Sequence, residues 1–314
     1  MASKPLILQR DPGLENFYKV IVRFGEIGRL SDQPDPLAYA REHAGTIRAM
    51  YCAGTLPNLP GLIEALPNLG MICSLSAGYE GLPVDLCKER GIIICNSSGS
   101  NADDVADTAV THVLAQQMKL LSKHNAILSG VFEGGLRNIR RSLMETRIGI
   151  VGLGAIGLCT AQRLAPHGCD IAWWGPRDKP GTPFRYEPSL KALADWCHIL
   201  VITGRADHSN RHMIDKEIIG AVGPDGIIVN VTRGMIIDED ALIAALKAGK
   251  LAGAGLDVFE QEPTPAERWK DVPNVTLTPH AGGAGTYSLQ RYHDIAAENF
   301  DCFFSGKPIL RRVA

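Results

Sequence analysis

Three ionisable residues in the second half of the chain each come shortly after an apolar, β-rich run: Arg233, Glu262 and His280. A guanidinium is always charged, and its planar fork matches a carboxylate. A histidine can transfer a proton near neutral pH, and a neighbouring carboxylate stabilises its charged form. Taken together, the three residue types are suited to binding a 2-oxo acid and protonating its carbonyl oxygen during reduction.

The elements that would position these residues are strands and helices that alternate along nearly the whole chain. The predicted strands are 6–9, 47–52, 71–75, 92–96, 147–152, 170–174, 198–203, 226–231, 253–258 and 275–278. The predicted helices between them include 59–66, 84–90, 155–167 and 239–247. Continuously apolar strands such as Ile-Ile-Ile at 92–94 are typical of a parallel sheet covered on both faces. The fold class is therefore predicted to be α/β and doubly wound, with ligands at the carboxyl ends of the strands.

A polar linker at 96–101 divides the chain into two lobes, the first with about four strands. One long helix is predicted over 102–128, with Asn101 as its N-cap and acidic residues in its first turns, as the helix dipole favours. A second long helix is predicted at about 288–304.

The second lobe opens with the pattern G-x-G-x-x-G at Gly152, Gly154 and Gly157. An apolar strand runs into the pattern and a helix follows it, which is the context of a dinucleotide-binding βαβ unit. In such a unit Gly152 permits the tight turn, Gly154 lets the backbone approach a pyrophosphate, and Gly157 lets the helix sit on the strand. The alternative is a tight strand–helix turn that binds nothing.

The residues after the next predicted strand bear on the choice of cofactor. An acid that would bind the adenosine ribose is expected near Gly175, but the sequence there is Trp174-Gly-Pro-Arg-Asp-Lys179. A missing acid removes repulsion of a 2′-phosphate, and Arg177 and Lys179 can pair with that phosphate. We therefore predict NADP(H) as the preferred cofactor, with NAD(H) possible if Asp178 binds the ribose instead.

Composition excludes several other classes of protein. The 314 residues carry a formal charge of −2, which gives no basic surplus for nucleic acid, and no apolar run is long enough to span a membrane. The eight cysteines include no C-x-x-C pair, which favours buried thiols in a reducing cytoplasm over disulfides or zinc. His208 and His212 lie four residues apart but lack the acidic neighbours of a zinc motif, so no metal site is predicted.

A set of short motifs resembles the D-isomer-specific 2-hydroxyacid dehydrogenase family, most closely its glyoxylate/hydroxypyruvate and hydroxyphenylpyruvate reductase branch. Beside the glycine pattern, the motifs are Leu-Pro-Asn-Leu at 66–69, Ser-Ala-Gly-Tyr-Glu at 76–80, Asn-Ala-Asp-Asp-Val-Ala-Asp at 101–107, Asn-x-x-Arg-Gly at 230–234, Gly-Leu-Asp-Val-Phe-Glu-x-Glu-Pro at 255–263 and Thr-Pro-His-Ala-Gly at 278–282. The resemblance covers nearly the whole chain. It implies NAD(P)H-dependent reduction of a small 2-oxo acid, such as glyoxylate, hydroxypyruvate or an aryl pyruvate, to the D-2-hydroxy acid.

The resemblance also implies residue roles. Arg233 would hold the substrate carboxylate and polarise the 2-oxo group, His280 would be the general acid, and Glu262 would keep His280 protonated. The backbone amides of Ala77 and Gly78 would bind the substrate carboxylate. The cofactor would be lined by Gly152, Gly154, Ala155, Ile156, Gly157, Trp174, Gly175, Arg177, Lys179, Thr203, Gly204, Val231, Thr232, Arg233, Asp257, His280 and Gly282.

The family's architecture implies two parallel-sheet lobes with a cleft between them. Residues 1–99 and 287–314 would form a discontinuous substrate-binding domain, and 100–286 the Rossmann domain. Members are usually homodimers joined through the nucleotide domain, here through 102–141. The loop at 203–210 departs from the family pattern, with Arg205 unexpected there, and Gly-Pro at 175–176 replaces the Ser-Arg of many NADPH-using relatives.

Two other functions remain open from the sequence. One is an NAD-linked enzyme of the D-lactate or phosphoglycerate dehydrogenase type. The other is a binding protein that senses dinucleotides, similar to the corepressors that share this fold. Turnover of glyoxylate with NADPH separates the enzyme from the sensor.

Overall fold

A computed structural model describes residues 4–56, 58–132, 134 and 139–313. The chain divides into two compact units, one of Met1–Asn101 with Thr286–Ala314 and the other of Ala102–Gly285. In chain order the strands are β1 Leu6–Gln9, β2 Glu26–Arg29, β3 Ile47–Cys52, β4 Met71–Ser74, β5 Ile93–Cys95, β6 Arg147–Val151, β7 Asp170–Trp174, β8 Arg185–Tyr186, β9 Ile199–Ile202, β10 Ile227–Asn230, β11 Gly253–Leu256 and β12 Val275–Leu277. The helices are α1 Tyr18–Ile21, α2 Pro36–Glu42, α3 Val84–Glu89, α4 Ala102–Gln117, α5 Leu120–Leu128, α6 Ala155–Leu164, α7 Leu190–Trp196, α8 Lys216–Val222, α9 Glu239–Lys247, α10 Ala266–Trp269 and α11 Thr286–Ser305.

The first unit is built on a five-stranded parallel sheet in the order β2-β1-β3-β4-β5. Helix α11 returns to this unit and contributes Phe300, fully buried beside Tyr51 of β3. The chain then pairs with the edge strand β5, where the Val313 amide donates to the Ile94 carbonyl. The sequence-based estimate of four strands was wrong: β2 was missed because its sequence, Glu-Ile-Gly-Arg, is polar and only one of its residues is buried.

The second unit is a seven-stranded parallel sheet in the order β12-β11-β10-β9-β6-β7-β8. Every residue of β9 and β10 is buried, because helices cover both faces of the sheet. The chain order reverses between β6 and its neighbours β7 and β9, which is where open α/β sheets bind ligands. The predicted α/β fold of two parallel-sheet lobes is confirmed.

Two predicted helices differ from the structure. The predicted helix at 59–66 is a series of turns, since Pro60 and the left-handed Gly61 (φ +75°) break the helical pattern. The long helix predicted over 102–128 is two helices, α4 and α5, separated at Lys119, whose φ is +50°. The residues around Lys119 are good helix formers, so local propensity gave no signal for this break.

None of the described helices is both long and apolar enough to cross a lipid bilayer.

Candidate active site

The glycine loop connects β6 to α6 at the point where the strand order reverses. Gly152 has a φ of +90°, and a Cβ atom there would collide with the backbone of Gly204. A Cβ on Gly157 would collide with the carbonyl of Gly152 and lie 2.7 Å from Thr203 Oγ1. Both positions therefore require glycine, since two backbone segments touch at each of them.

Thr203 fixes the glycine loop through hydrogen bonds to two carbonyls. Its amide donates to the Val151 carbonyl (3.0 Å) and its hydroxyl to the Gly152 carbonyl (2.8 Å). Gly204 follows directly and packs against Gly152, so the two segments predicted to line the cofactor do meet.

The N-terminus of α6 is free to bind an anion. Gly154 is the N-cap residue and has no side chain to satisfy the first amides of the helix, those of Ala155, Ile156 and Gly157. The space where a Gly154 side chain would lie is open. Amides that no described protein group accepts, the positive end of the helix dipole and this open space fit the pyrophosphate of a dinucleotide.

The residues after β7 lie next to the same loop. The Trp174 carbonyl accepts the Gly152 amide at 2.8 Å, and the Nζ atom of Lys179 donates to the Leu153 carbonyl at 2.6 Å. Arg177 is exposed, and Gly175 is buried against the Trp173 ring. Lys179 therefore contacts the glycine loop, whereas Trp174 packs with its ring into the apolar core.

Arg233 sits immediately after β10 in a segment fixed by Asn230. The Asn230 side chain donates to the Arg233 carbonyl (3.0 Å) and accepts from the Thr232 amide (3.1 Å), while Val231 and Thr232 are buried. The next residue, Gly234, has no room for a Cβ because the backbone of Phe259 and Glu260 lies against it. This close packing brings the Arg233 segment beside the loop that carries Glu262.

The side chains of Glu262 and His280 are in hydrogen-bond contact. His280 Nδ1 lies 2.6 Å from Glu262 Oε2, and Glu262 Oε1 accepts the Phe259 amide at 3.0 Å. Partial burial by itself raises the pKa of Glu262, but the bonds from His280 and Phe259, with the charges of His280 and Arg233, bring this pKa below its ordinary value. Glu262 is therefore a carboxylate at neutral pH, and both side chains remain partly exposed within the second unit.

The buried Asp257 anchors the loop that carries His280. Its carboxylate is acceptor to the Thr278 hydroxyl (2.5 Å) and to the amides of Ala281 (3.0 Å) and Gly282 (2.9 Å), and its carbonyl accepts the His280 amide (2.7 Å). His280 itself has a φ of +52°, a left-handed conformation that is uncommon for a residue with a side chain. Asp257 thus fixes a strained backbone at the candidate acid.

Ala77 and Gly78 follow β4 in the first unit. Asn96 Nδ2 donates to the Ala77 carbonyl at 2.7 Å, and the Ser74 hydroxyl donates to the Gly78 carbonyl at 2.8 Å. Within the described part of the chain, the amides of both residues donate to no protein group. Because the carbonyls of Ala77 and Gly78 are fixed by hydrogen bonds, the amides of both residues are available to bind an anion.

Sequence reasoning missed two polar residues that contact this machinery, His112 of α4 and Thr278. Nothing in the local pattern around His112 distinguishes it from a core residue, and its partners lie more than a hundred positions away along the chain. In the described ranges no cluster of three or more histidine, cysteine or acidic side chains has the geometry of a metal site.

Comparison with known proteins identifies the family and the fold. The sequence model described as D-isomer specific 2-hydroxyacid dehydrogenase, NAD binding domain, matches residues 110–282. The hydroxyphenylpyruvate reductase of Plectranthus scutellarioides is 34% identical over 281 residues, 90% of each chain. A 2-hydroxyacid dehydrogenase structure from Ketogulonicigenium vulgare superposes with a TM-score of 0.91 at 32% identity, covering 99% of both chains. An NADPH-dependent glyoxylate/hydroxypyruvate reductase from Sinorhizobium meliloti, solved with NADP and malonate, superposes with a TM-score of 0.86 at 29% identity over 99% of this chain and 97% of that one.

Proposed function

Because the chain belongs to the D-isomer-specific 2-hydroxyacid dehydrogenase family, we propose that it reduces a small 2-oxo acid to the D-2-hydroxy acid with a reduced nicotinamide dinucleotide. The substrate class is that of glyoxylate, hydroxypyruvate or an aryl pyruvate. The observation that carries the proposal is the 2.6 Å pair of His280 and Glu262 in the same unit as the glycine loop and Arg233.

The second unit is proposed to hold the cofactor. The amides at the start of α6 bind the pyrophosphate, and Thr203 and Gly204 keep the loop open for it. Beyond these, the proposed cofactor contacts come from Trp174, Gly175, Arg177, Lys179, Val231, Thr232, Arg233, Asp257, His280 and Gly282. When bound, the reduced nicotinamide supplies the hydride for the reaction.

The protein's own residues then bind the substrate carboxylate and donate the proton. Arg233 pairs with the substrate carboxylate and polarises the 2-oxo oxygen. The imidazolium of His280 donates its proton from Nε2 to that oxygen, because Nδ1 is occupied by Glu262. The amides of Ala77 and Gly78 are proposed as a second contact for the substrate carboxylate.

A preference for NADPH is part of this proposal. It is supported by the absence of a carboxylate at 174–177, by the position of Lys179 at the glycine loop, and by the relative that was solved with NADP. A hydrogen bond to a charged group contributes roughly 1.5–3 kcal/mol, so one such contact to a 2′-phosphate corresponds to a preference of roughly 10- to 150-fold.

One experiment tests both the reduction of 2-oxo acids and the preference for NADPH. Initial rates are measured for a panel of 2-oxo acids with NADPH and with NADH, using Arg233→Ala and Arg233→Lys as controls. We expect turnover of at least one short 2-oxo acid, a large loss of kcat/KM in Arg233→Ala and partial recovery in Arg233→Lys. Binding of NADPH without turnover of any panel member would instead favour the dinucleotide-sensing protein, and equal kcat/KM for the two cofactors would contradict the NADPH preference.

The chain is also proposed to form a homodimer through α5 and the residues that follow it. This surface carries large exposed apolar side chains, among them Leu128 at 73%, Phe132 at 85% and Ile139 at 80% exposure. α5 has no buried residue at all, which is unusual for an apolar helix without a partner. Light scattering on Leu128→Glu should show monomers, while Leu310→Glu, an exposed position in the first unit, should leave the dimer intact.

All eight cysteines are free thiols and six of them are buried. This agrees with the proposal that the protein works in a reducing compartment, the cytoplasm.

A further inference from the structure

One face of α4 carries a polar side chain at every fourth position: Asp104, Thr108, His112 and Gln116. We call this set the polar stripe. It packs against β11, β12 and the segment that follows β12; His112 is only 3% exposed, while Asp104 and Thr108 are partly exposed. Two glycines of β11 make the room: a Cβ on Gly255 would overlap His112, and one on Gly253 would overlap Gln116.

Hydrogen bonds run from the polar stripe to Asp257 in a single direction. Gln116 Nε2 donates to Thr276 Oγ1 (3.2 Å), Thr276 Oγ1 lies 2.7 Å from His112 Nδ1, and His112 Nε2 lies 3.1 Å from Thr278 Oγ1. Thr278 gives its one hydroxyl proton to Asp257 Oδ1 (2.5 Å). Its oxygen must therefore accept from His112, which places the His112 proton on Nε2.

The rest of the chain of bonds follows from that tautomer. A neutral imidazole with its proton on Nε2 accepts at Nδ1, so the Thr276 hydroxyl donates to it and receives the Gln116 amide in turn. Burial lowers the pKa of His112, which keeps the ring neutral at pH 7, although the charge of Asp257 acts weakly in the opposite direction. Both ring nitrogens of His112 and both threonine hydroxyls then have partners.

Asp257 links this series of hydrogen bonds to the loop that carries His280. Its carboxylate and carbonyl together bind the backbone of 280–282, including the amide of the left-handed His280. A residue in this conformation keeps it only where the surroundings over-determine it. The direction of the His280 imidazole toward Glu262 depends on that backbone.

We propose that His112 is a positioning residue that acts through Thr278 and Asp257 to hold the His280 loop in the conformation that pairs His280 with Glu262. The spatial part of this proposal stands on contacts within the second unit. Its kinetic consequence rests on the proposed function, in which His280 donates the proton.

The first test is spectroscopic and needs no substrate. In the full chain labelled with ¹⁵N-histidine, long-range ¹H–¹⁵N spectra at pH 7 report the tautomer of each ring, and His112→Gln assigns the His112 signals. We expect His112 to be neutral with its proton on Nε2, and we expect Thr278→Val to move the ring signals of His280. A protonated His112, a proton on Nδ1, or unchanged His280 signals in Thr278→Val would overturn the proposal.

The second test is kinetic and uses paired variants. For Thr278→Val and His112→Leu we expect kcat for 2-oxo acid reduction to fall roughly 10- to 100-fold, because a misplacement of about 1 Å can cost 100-fold in rate. The KM for the nicotinamide cofactor should change much less than kcat, since the glycine loop proposed to bind the pyrophosphate is untouched and only the contacts at Asp257 and 280–282 are disturbed. Thr278→Ser restores the hydroxyl and His112→Gln restores a donor near Nε2, so both should recover part of kcat.

A matched control separates positioning from stability. Gln117, the neighbour of Gln116 on α4, is also buried and binds the Arg141 carbonyl and the Thr146 hydroxyl, away from the His280 loop. Gln117→Leu should lower thermal stability while leaving kcat per folded molecule and the His280 spectrum unchanged. Loss of kcat in Gln117→Leu equal to that in Thr278→Val would contradict the proposal. If the wild-type chain reduces no 2-oxo acid, the proposed function fails, but the spectroscopic test still decides the positioning.

Discussion

The carboxylate of Glu262 bridges two elements, with one oxygen 2.6 Å from His280 Nδ1 and the other 3.0 Å from the Phe259 amide. The amide holds the carboxylate in place, and the carboxylate in turn fixes the imidazole at Nδ1, which leaves Nε2 for the proposed proton donation. This arrangement leads to two predictions about Glu262.

The first concerns the pH dependence of activity. Because the pKa of Glu262 is lowered, its negative charge persists beside the proposed proton donor throughout the neutral range. Glu262→Gln keeps the size and one acceptor but removes this charge. We expect the alkaline fall of kcat/KM for reduction to shift to lower pH, measured from pH 5 to 10. An unshifted profile would show that the carboxylate does not act on the proton donor.

The second concerns stability in acid. A carboxyl group whose pKa is lower in the folded chain stabilises the fold above its unfolded pKa, and this contribution is lost as pH falls through the folded pKa. The Tm difference between wild type and Glu262→Gln should therefore be present at pH 7 and disappear on acidification below about pH 4, near the reference pKa of a glutamate. The difference should be small, since the pair is partly exposed. A constant Tm difference down to pH 3 is the contrary result.

A third prediction concerns the close approach at the glycine loop. Gly157→Ala places a methyl group against the Gly152 carbonyl and the Thr203 hydroxyl, so the loop must shift. We expect weaker dinucleotide binding, measured by fluorescence titration, together with a Tm reduced by several degrees. The control is Gly220→Ala in α8, where nothing lies within 4 Å of the added methyl. That substitution should stabilise the fold by about 0.5–1 kcal/mol, the usual gain of alanine over glycine in a helix.

A fourth prediction concerns cofactor choice. Lys179→Glu should reduce kcat/KM with NADPH roughly 10- to 150-fold, the value of one charged hydrogen bond, while changing the NADH value much less. The control is Lys191→Glu on α7, another exposed lysine, which pairs with Asp195 away from the loop and should leave the ratio of the two cofactors unchanged. Equal losses with both cofactors would mean that Lys179 acts through the Leu153 carbonyl and not through a 2′-phosphate.

Local sequence patterns predicted those elements whose boundaries are set by neighbouring residues, such as caps and regular apolar faces. Helix α9 begins and ends as expected because Asp238 caps it and its apolar face is regular, and β6 runs into the glycine loop as predicted. Helix α4 ends earlier than the predicted helix over 102–128, and helix propensity does not explain why. The cause lies in packing: the buried face of α4 stops at Gln117, and α5 has no buried residue. The roles assigned to Arg233, Glu262 and His280 remain predictions, but the structure does place Glu262 and His280 in contact.

The directed bonds from α4 could not be foreseen from the sequence. His112 and Thr278 lie far apart along the chain, and each looks like an ordinary core or loop residue in its own segment. Their relationship depends on the room left by Gly255, which only the packing of α4 on β11 reveals.

The return of α11 to the first sheet has a consequence for biosynthesis. Phe300 packs beside Tyr51, and the Val313 amide binds the Ile94 carbonyl, so the first unit needs residues that are synthesised more than 200 positions after their partners. The inserted unit, by contrast, is continuous from Ala102 to Gly285. We expect the unit at 102–285 to fold first and the amino-terminal sheet to remain incomplete until α11 and Val313 have been synthesised, a reversal of the usual vectorial order.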